Sequence, residues 1–231
     1  MKFVQIVFPL LLLLGACSST YEGVTRIDQV PMYGGMDRNS VPELKAADEQ
    51  LLARTTKGFG NREKASAAFV NHGFQFYGQD DLAMAMKRFN QAWLLNPRNP
   101  EVYWGFGSVL HDQGKNCEAR KMMEKALSYD YYITGLYPDA ARIYTLCSVS
   151  DKALSAETKK QYYQKSQKLY EEAVLLDSNT AYVYASWATA FYWKGQYAQA
   201  WEKVEKQREF GGEPDAKFLD LLQEKMPDPR N

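Results

Sequence analysis

The feature that most constrains this chain is repetition at a fixed period. Ala85 and Ala119 lie 34 residues apart (119 − 85), as do Ala92 and Ala126, and Gly73 and Gly107. A period of this length means stacked supersecondary units, none of which can bury its apolar face alone. One segment runs Gly73-Phe74-Gln75-Phe76, Asp80-Asp81-Leu82, Ala85, Phe89, Ala92 and Asn96-Pro97. The next runs Gly107-Ser108-Val109-Leu110, Gly114-Lys115-Asn116, Ala119, Met123, Ala126 and Asp130. A later segment follows suit with Tyr184, Trp187, Ala188, Phe191, Gly195, Ala200 and Val204. Each unit reads as two helices joined by a tight turn. The small residues Gly73, Gly107, Ala141 and Ala188 are predicted where the two helices approach most closely. Ala85, Ala119 and Ala200 let the second helix settle against the first. Gly114 and Gly195 punctuate the turn, and Pro97 starts the next connection because proline cannot continue a helix interior.

The period, the small-residue positions, the aromatics after them and the closing Asn-Pro resemble the tetratricopeptide repeat family. The resemblance covers about Ser66 to Phe210. It implies an all-α solenoid of about four helical hairpins, at 66–99, 100–133, 134–180 and 181–214. A capping helix is expected over 214–226, because a solenoid needs a polar outer face at its end. The third repeat departs from the pattern. Tyr137, Ala141 and Tyr144 keep phase, but Ser166 falls 47 residues after Ala119 (166 − 119), 13 beyond the period (47 − 34). The surplus, between Cys147 and about Tyr162, is expected as a longer turn, an added helical turn, or both. The fourth repeat carries Gln207 where the others have Ala.

The first residues follow a different logic. Lys2 gives a small positive region, and Phe3 to Leu14 is almost wholly apolar. That stretch falls short of the roughly 20 residues a membrane span needs, and it suits the apolar region of a signal peptide. The ending Leu14-Gly15-Ala16-Cys17 resembles the lipobox of bacterial lipoproteins. The resemblance implies a signal peptide over 1–16 and lipidation of Cys17, with several acyl chains giving a stable membrane anchor. Ser18 follows where an Asp would retain an enteric-type lipoprotein in the inner membrane, so the expected location is the periplasmic side of the outer membrane. Residues 17–60 read as a tether with one short helix, from Val41 to about Ala53, with Ser40 and Glu43 as a capping box and Pro42 in the first turn. Gly58-Phe59-Gly60-Asn61 is a second turn signal before the repeat domain of 61–226.

With Cys17 lipidated, Cys117 and Cys147 remain as an even pair in an oxidising space. Cys117 starts one helix and Cys147 ends the next. A hairpin centred at residue 132, their midpoint, brings them to the same end, so a disulfide is predicted.

Signals of catalysis are weak. The chain has two His, His72 and His111, and nothing shows metal-ligand spacing. Gly107 to Gly114-Lys115 lacks the spacing of a phosphate loop, and Asn116 stands where Ser or Thr is needed. Lys plus Arg and Asp plus Glu both total 28, so the formal charge of zero gives no reason to expect nucleic acid as a partner. No cofactor or metal is expected. Aromatic residues make up 14% of the chain, with 16 Tyr and 5 Trp, a surplus that needs a place. In the repeat family the first helices line a concave groove for peptides or partner helices. Carried over, the lining is Phe74 and Tyr77, then Trp104, Ser108, His111 and Asp112, then Arg142 and Thr145, and last Thr189, Tyr192 and Trp193. The leading expectation is a lipid-anchored scaffold without enzymatic activity, binding an unidentified protein or peptide in envelope, pilus or secretion complex assembly. Two alternatives stay open: a lipoprotein that binds glycan or peptidoglycan through the aromatics, and a hydrolase using Ser108 and His111.

Overall fold

The computed structural model describes residues 26–129 and 131–230. Cys17 and the leader of 1–16 lie outside the described residues. Among these residues the regular structure is entirely helical, in ten α-helices and three short 3₁₀ turns. No helix among them is long and apolar enough to cross a membrane.

The helices are α1 (Pro42–Phe59), α2 (Arg62–Tyr77), α3 (Leu82–Leu95), α4 (Pro100–Asp112), α5 (Asn116–Leu127), α6 (Leu136–Ser150), α7 (Ala156–Leu176), α8 (Thr180–Trp193), α9 (Tyr197–Glu209) and α10 (Ala216–Lys225). Their starts are set by side chains that satisfy otherwise orphaned amides. Asn61 accepts from Lys64 N, Asp81 from Met84 N, Asn99 from Glu101 N, Ser155 from Thr158 N, Asn179 from Tyr182 N and Asp215 from Phe218 N. Turns end in glycines with positive φ at Gly114, Gly195 and Gly211, a conformation glycine adopts without steric cost.

Four hairpins follow one another, α2 with α3, α4 with α5, α6 with α7 and α8 with α9. The first helices of neighbouring hairpins also touch, α2 on α4, α4 on α6 and α6 on α8. The expected close approaches are present. A Cβ on Gly73 would come within 2.4 Å of Phe89, and one on Gly107 within 2.8 Å of Met123. Ala85, Ala119, Ala141, Ala188 and Ala200 have no exposed surface.

The third-hairpin surplus takes both expected forms. The turn over 151–155 is longer than the one between α4 and α5, and α7 has 21 residues against 14 in α3. Gln207 is buried, and its amide donates to Glu213 O at 3.2 Å, closing the turn toward α10. There Leu222 is fully buried and Trp201 Nε1 donates to Met226 O at 3.0 Å.

Two expectations on the N-terminal side need correction. Helix α1 starts at Pro42 but runs on to Phe59, through Gly58, and stops only at Gly60, whose φ is 87°. The Ser40–Glu43 capping box does not form. Val41 is the N-cap, and the Ser40 hydroxyl is spent on Asp37 O at 2.7 Å, in the preceding 3₁₀ turn. The segment read as a tether is, from residue 26, a packed strap. Asn90 on α3, with no exposed surface, accepts from Tyr33 N at 3.0 Å and donates to Val30 O at 2.8 Å. Tyr33 is buried beneath Arg38, whose guanidinium carbon lies 4.0 Å from the ring centroid and which pairs with Asp48 of α1 at 2.6 Å.

Candidate functional site

The shared face of α2, α4, α6 and α8 carries most of the expected groove residues, and much of it is already committed to itself. Phe74 packs on Trp104 with ring centroids 4.9 Å apart and on Phe89 at 5.0 Å. Trp104 Nε1 donates to Asp139 Oδ2 at 2.9 Å. The other oxygen of Asp139 accepts from Tyr182 OH at 2.5 Å and pairs with Arg142 at 3.0 Å. Arg142 also donates to Ser186 Oγ at 3.1 Å, and that hydroxyl donates to Pro138 O at 2.9 Å. A largely buried carboxylate thus holds three first helices together. Removing one partner from such a network leaves a costly unpaired group. Burial and the Asp139 charge push the Tyr182 phenol up to about 12. Tyr77 is pushed above the ordinary tyrosine value as well, first by burial and then by a hydrogen bond to Asp112.

Two of the expected lining residues do not line anything. Ser108 is buried and its hydroxyl donates to Trp104 O at 3.0 Å, one turn back on its own helix. Thr145 is 1% exposed and shares a 2.8 Å hydrogen bond with Ser166 on α7. Thr145 thereby faces the second helix of its own hairpin, whereas the Ser108 hydroxyl is spent within α4. Thr189 is half-buried, with its hydroxyl on Ala185 O at 3.0 Å. Tyr192 turns toward the cap and meets Phe218 at 5.7 Å between centroids.

The face opens at one end, where α4, α6 and α8 finish. A cavity of about 420 Å³ lies there, lined by His111, Asn116, Leu146, Val149, Ser150 and Trp193. Trp193 is 55% exposed and Val149 43%. His111 Nδ1 is 2.7 Å from Asn116 Oδ1, within hydrogen-bond distance. Ser108 and His111 therefore each have a partner other than the other, and the hydrogen bond by which a base activates a serine is not made. Cys117 and Cys147 are joined, S–S 2.00 Å, and fasten the start of α5 to the end of α6 beside this opening.

Sequence reasoning reached His111 and Trp193 but missed Asn116, Leu146, Val149 and Ser150, which lie in the first or last turns of their helices, outside the groove positions carried over from the family. It also missed Asp139 and Tyr182. Asp139 was open to discovery as an i,i+3 partner of Arg142 on one helix face. Tyr182 was not, because its link to Asp139 spans 43 residues. The sequence matches no protein-family model and no curated protein.

Proposed function

We propose that this chain is a tetratricopeptide-type scaffold, anchored through a lipidated Cys17 on the periplasmic side of the outer membrane, that captures another protein at the open end of its first-helix face. The observation that carries the reading is the apolar opening with its exposed Trp193, on a face whose other polar groups are already paired. Apolar surface that is solvated and ringed by satisfied polar groups is the form a protein interaction site takes. Peptidoglycan recognition by stacking needs several exposed aromatic faces. Of the aromatics on this face, Phe74, Tyr77, Trp104 and Tyr192 are half-buried, Tyr182 is exposed but tied by its hydroxyl to Asp139, and Trp193 is exposed with its ring at the opening. A hydrolase reading lacks the Ser108–His111 contact.

A photo-crosslinking amino acid at Trp193, compared with one at exposed Glu171 of α7, tests the reading in intact cells. A discrete protein adduct is expected from position 193 and not from 171. Equal labelling at both positions would remove the site. The anchor is checked separately by metabolic labelling with an alkyne palmitate analogue. Incorporation is expected in the native chain and absent from Cys17→Ser, and label that persists in that variant would refute lipidation at Cys17.

A further inference from the structure

Beside the apolar opening lies a second hollow of about 320 Å³, lined by Ser148, Val149, Lys159, Lys160, Tyr163 and Lys194. The two share Val149 as a wall. Neither has an Asp or Glu in its lining. Lys159, Lys160 and Lys194 take part in no ion pair among the described residues, and Lys194 rests with Nζ 4.1 Å from the Tyr163 ring centroid. Nearby acids are engaged elsewhere. Asp151 accepts from Ala153 N at 2.8 Å, and Glu157 accepts from Gln161 at 3.3 Å. The long α7 is the source of the imbalance. From Ala156 to Lys165 it carries Lys159, Lys160 and Lys165 against the single acid Glu157, while Lys168 further along pairs with Glu172 at 3.8 Å. In a chain of zero net charge this is a local cationic rim set against an apolar slot.

From this juxtaposition we infer that the end of the first-helix face binds an acidic peptide segment, one apolar side chain filling the slot by Trp193 and carboxylates following across Val149 onto Lys159, Lys160 and Lys194. The inference rests on the binding role proposed above and names its ligand class. Both hollows are of a size that takes a side chain with adjoining backbone. The apolar slot supplies the desolvated anchor that dominates binding energy. The lysines give orientation and sign selectivity, since like charges across an interface are costly and opposite ones steer encounter. A flat anionic membrane surface fits less well, because the slot is recessed and asks for one inserted side chain.

The test uses the full-length chain purified from cells and held in nanodiscs of neutral lipid, with labelled, end-capped peptides read by anisotropy. The probe carries one leucine followed by four glutamates. Two counterparts replace the leucine by serine, or the glutamates by lysine. The leucine–glutamate peptide should bind at least tenfold more tightly than either counterpart, and more weakly as salt screens the lysines. The triple variant Lys159→Gln, Lys160→Gln, Lys194→Gln should lose about tenfold for that peptide. Val149→Ser should weaken it while leaving the salt dependence in place. All four side chains are at least partly solvent-exposed, and unchanged circular dichroism verifies the fold of each variant. Equal binding of all peptides, no binding, or full affinity in the triple variant overturns the inference. So does loss of peptide binding in discs of anionic lipid, which would assign the lysines to the membrane. Crosslinking at Trp193 without peptide binding removes this ligand class and keeps the scaffold. Peptide binding without crosslinking in cells does the reverse.

Discussion

The ring of Phe89 shows how much one residue can fix here. It has no exposed surface, and glycines from two helices meet it, Gly73 of α2 and Gly105 of α4. A Cβ on Gly105 would come within 2.3 Å of the ring. The ring, packed among Phe74 at 5.0 Å and Phe106 at 6.4 Å, has little room to move. Gly105→Ala is therefore expected to destabilise by about 1–3 kcal/mol through overpacking, less the ~1 kcal/mol that alanine gains in helix propensity. Gly58 on α1 has nothing within 4 Å of the same added atom. Gly58→Ala should stabilise, by up to about 1 kcal/mol. Urea midpoints of the two variants should move in opposite directions, and a shared direction would contradict this account. Gly73 and Gly107 were legible as members of the repeat. Gly105 was not, since it falls outside the shared register and owes its size to a side chain on another helix.

At the scale of elements, the period in the sequence carried far. It located the four hairpins, their turns and the surplus of the third. The placement of Cys117 and Cys147 about a hairpin centre was enough to pair them, because antiparallel neighbours bring equidistant residues to one end. The bond closes a loop with a separation of 30. Reduction should cost about 3–4 kcal/mol on the loop-entropy model. Comparing urea midpoints with and without dithiothreitol measures this, and the double variant Cys117→Ser, Cys147→Ser should be insensitive to reductant. Two free thiols counted in unreduced protein would contradict the pairing. The strap was illegible for a physical reason. Its backbone is held by the amide of Asn90, 57 residues from Tyr33 and 60 from Val30, and local pattern carries no trace of such a bond. The Ser40–Glu43 box failed more locally, because Asp37 started an earlier turn and drew Ser40 into it.

For the molecule as a whole, the aromatic surplus went mostly inward, and its phenols govern the response to alkali. Burial is the chief cause that pushes Tyr33, Tyr103 and Tyr182 up to about 12. An unfolded tyrosine releases its proton near pH 10. Below that both states keep the proton, so this contribution to stability is fully present. Between about pH 10 and 12 the unfolded chain has lost protons that the folded one retains, so stability falls as pH rises. Urea midpoints should hold to about pH 9.5 on this account and decline above pH 10, less steeply in Tyr33→Phe. A flat profile to about pH 12 would be incompatible with it.

The strap also decides how the molecule bears a load. A repeat array pulled by its end helix peels one hairpin at a time, since each unit holds only its neighbours. Here the described chain begins by running back over α3, and the Arg38–Asp48 pair lies between that segment and α1. Along the chain, a pull at residue 26 reaches the two Asn90 hydrogen bonds and buried Tyr33 before it reaches α1 and the first hairpin, so the strap on α3 is loaded ahead of them.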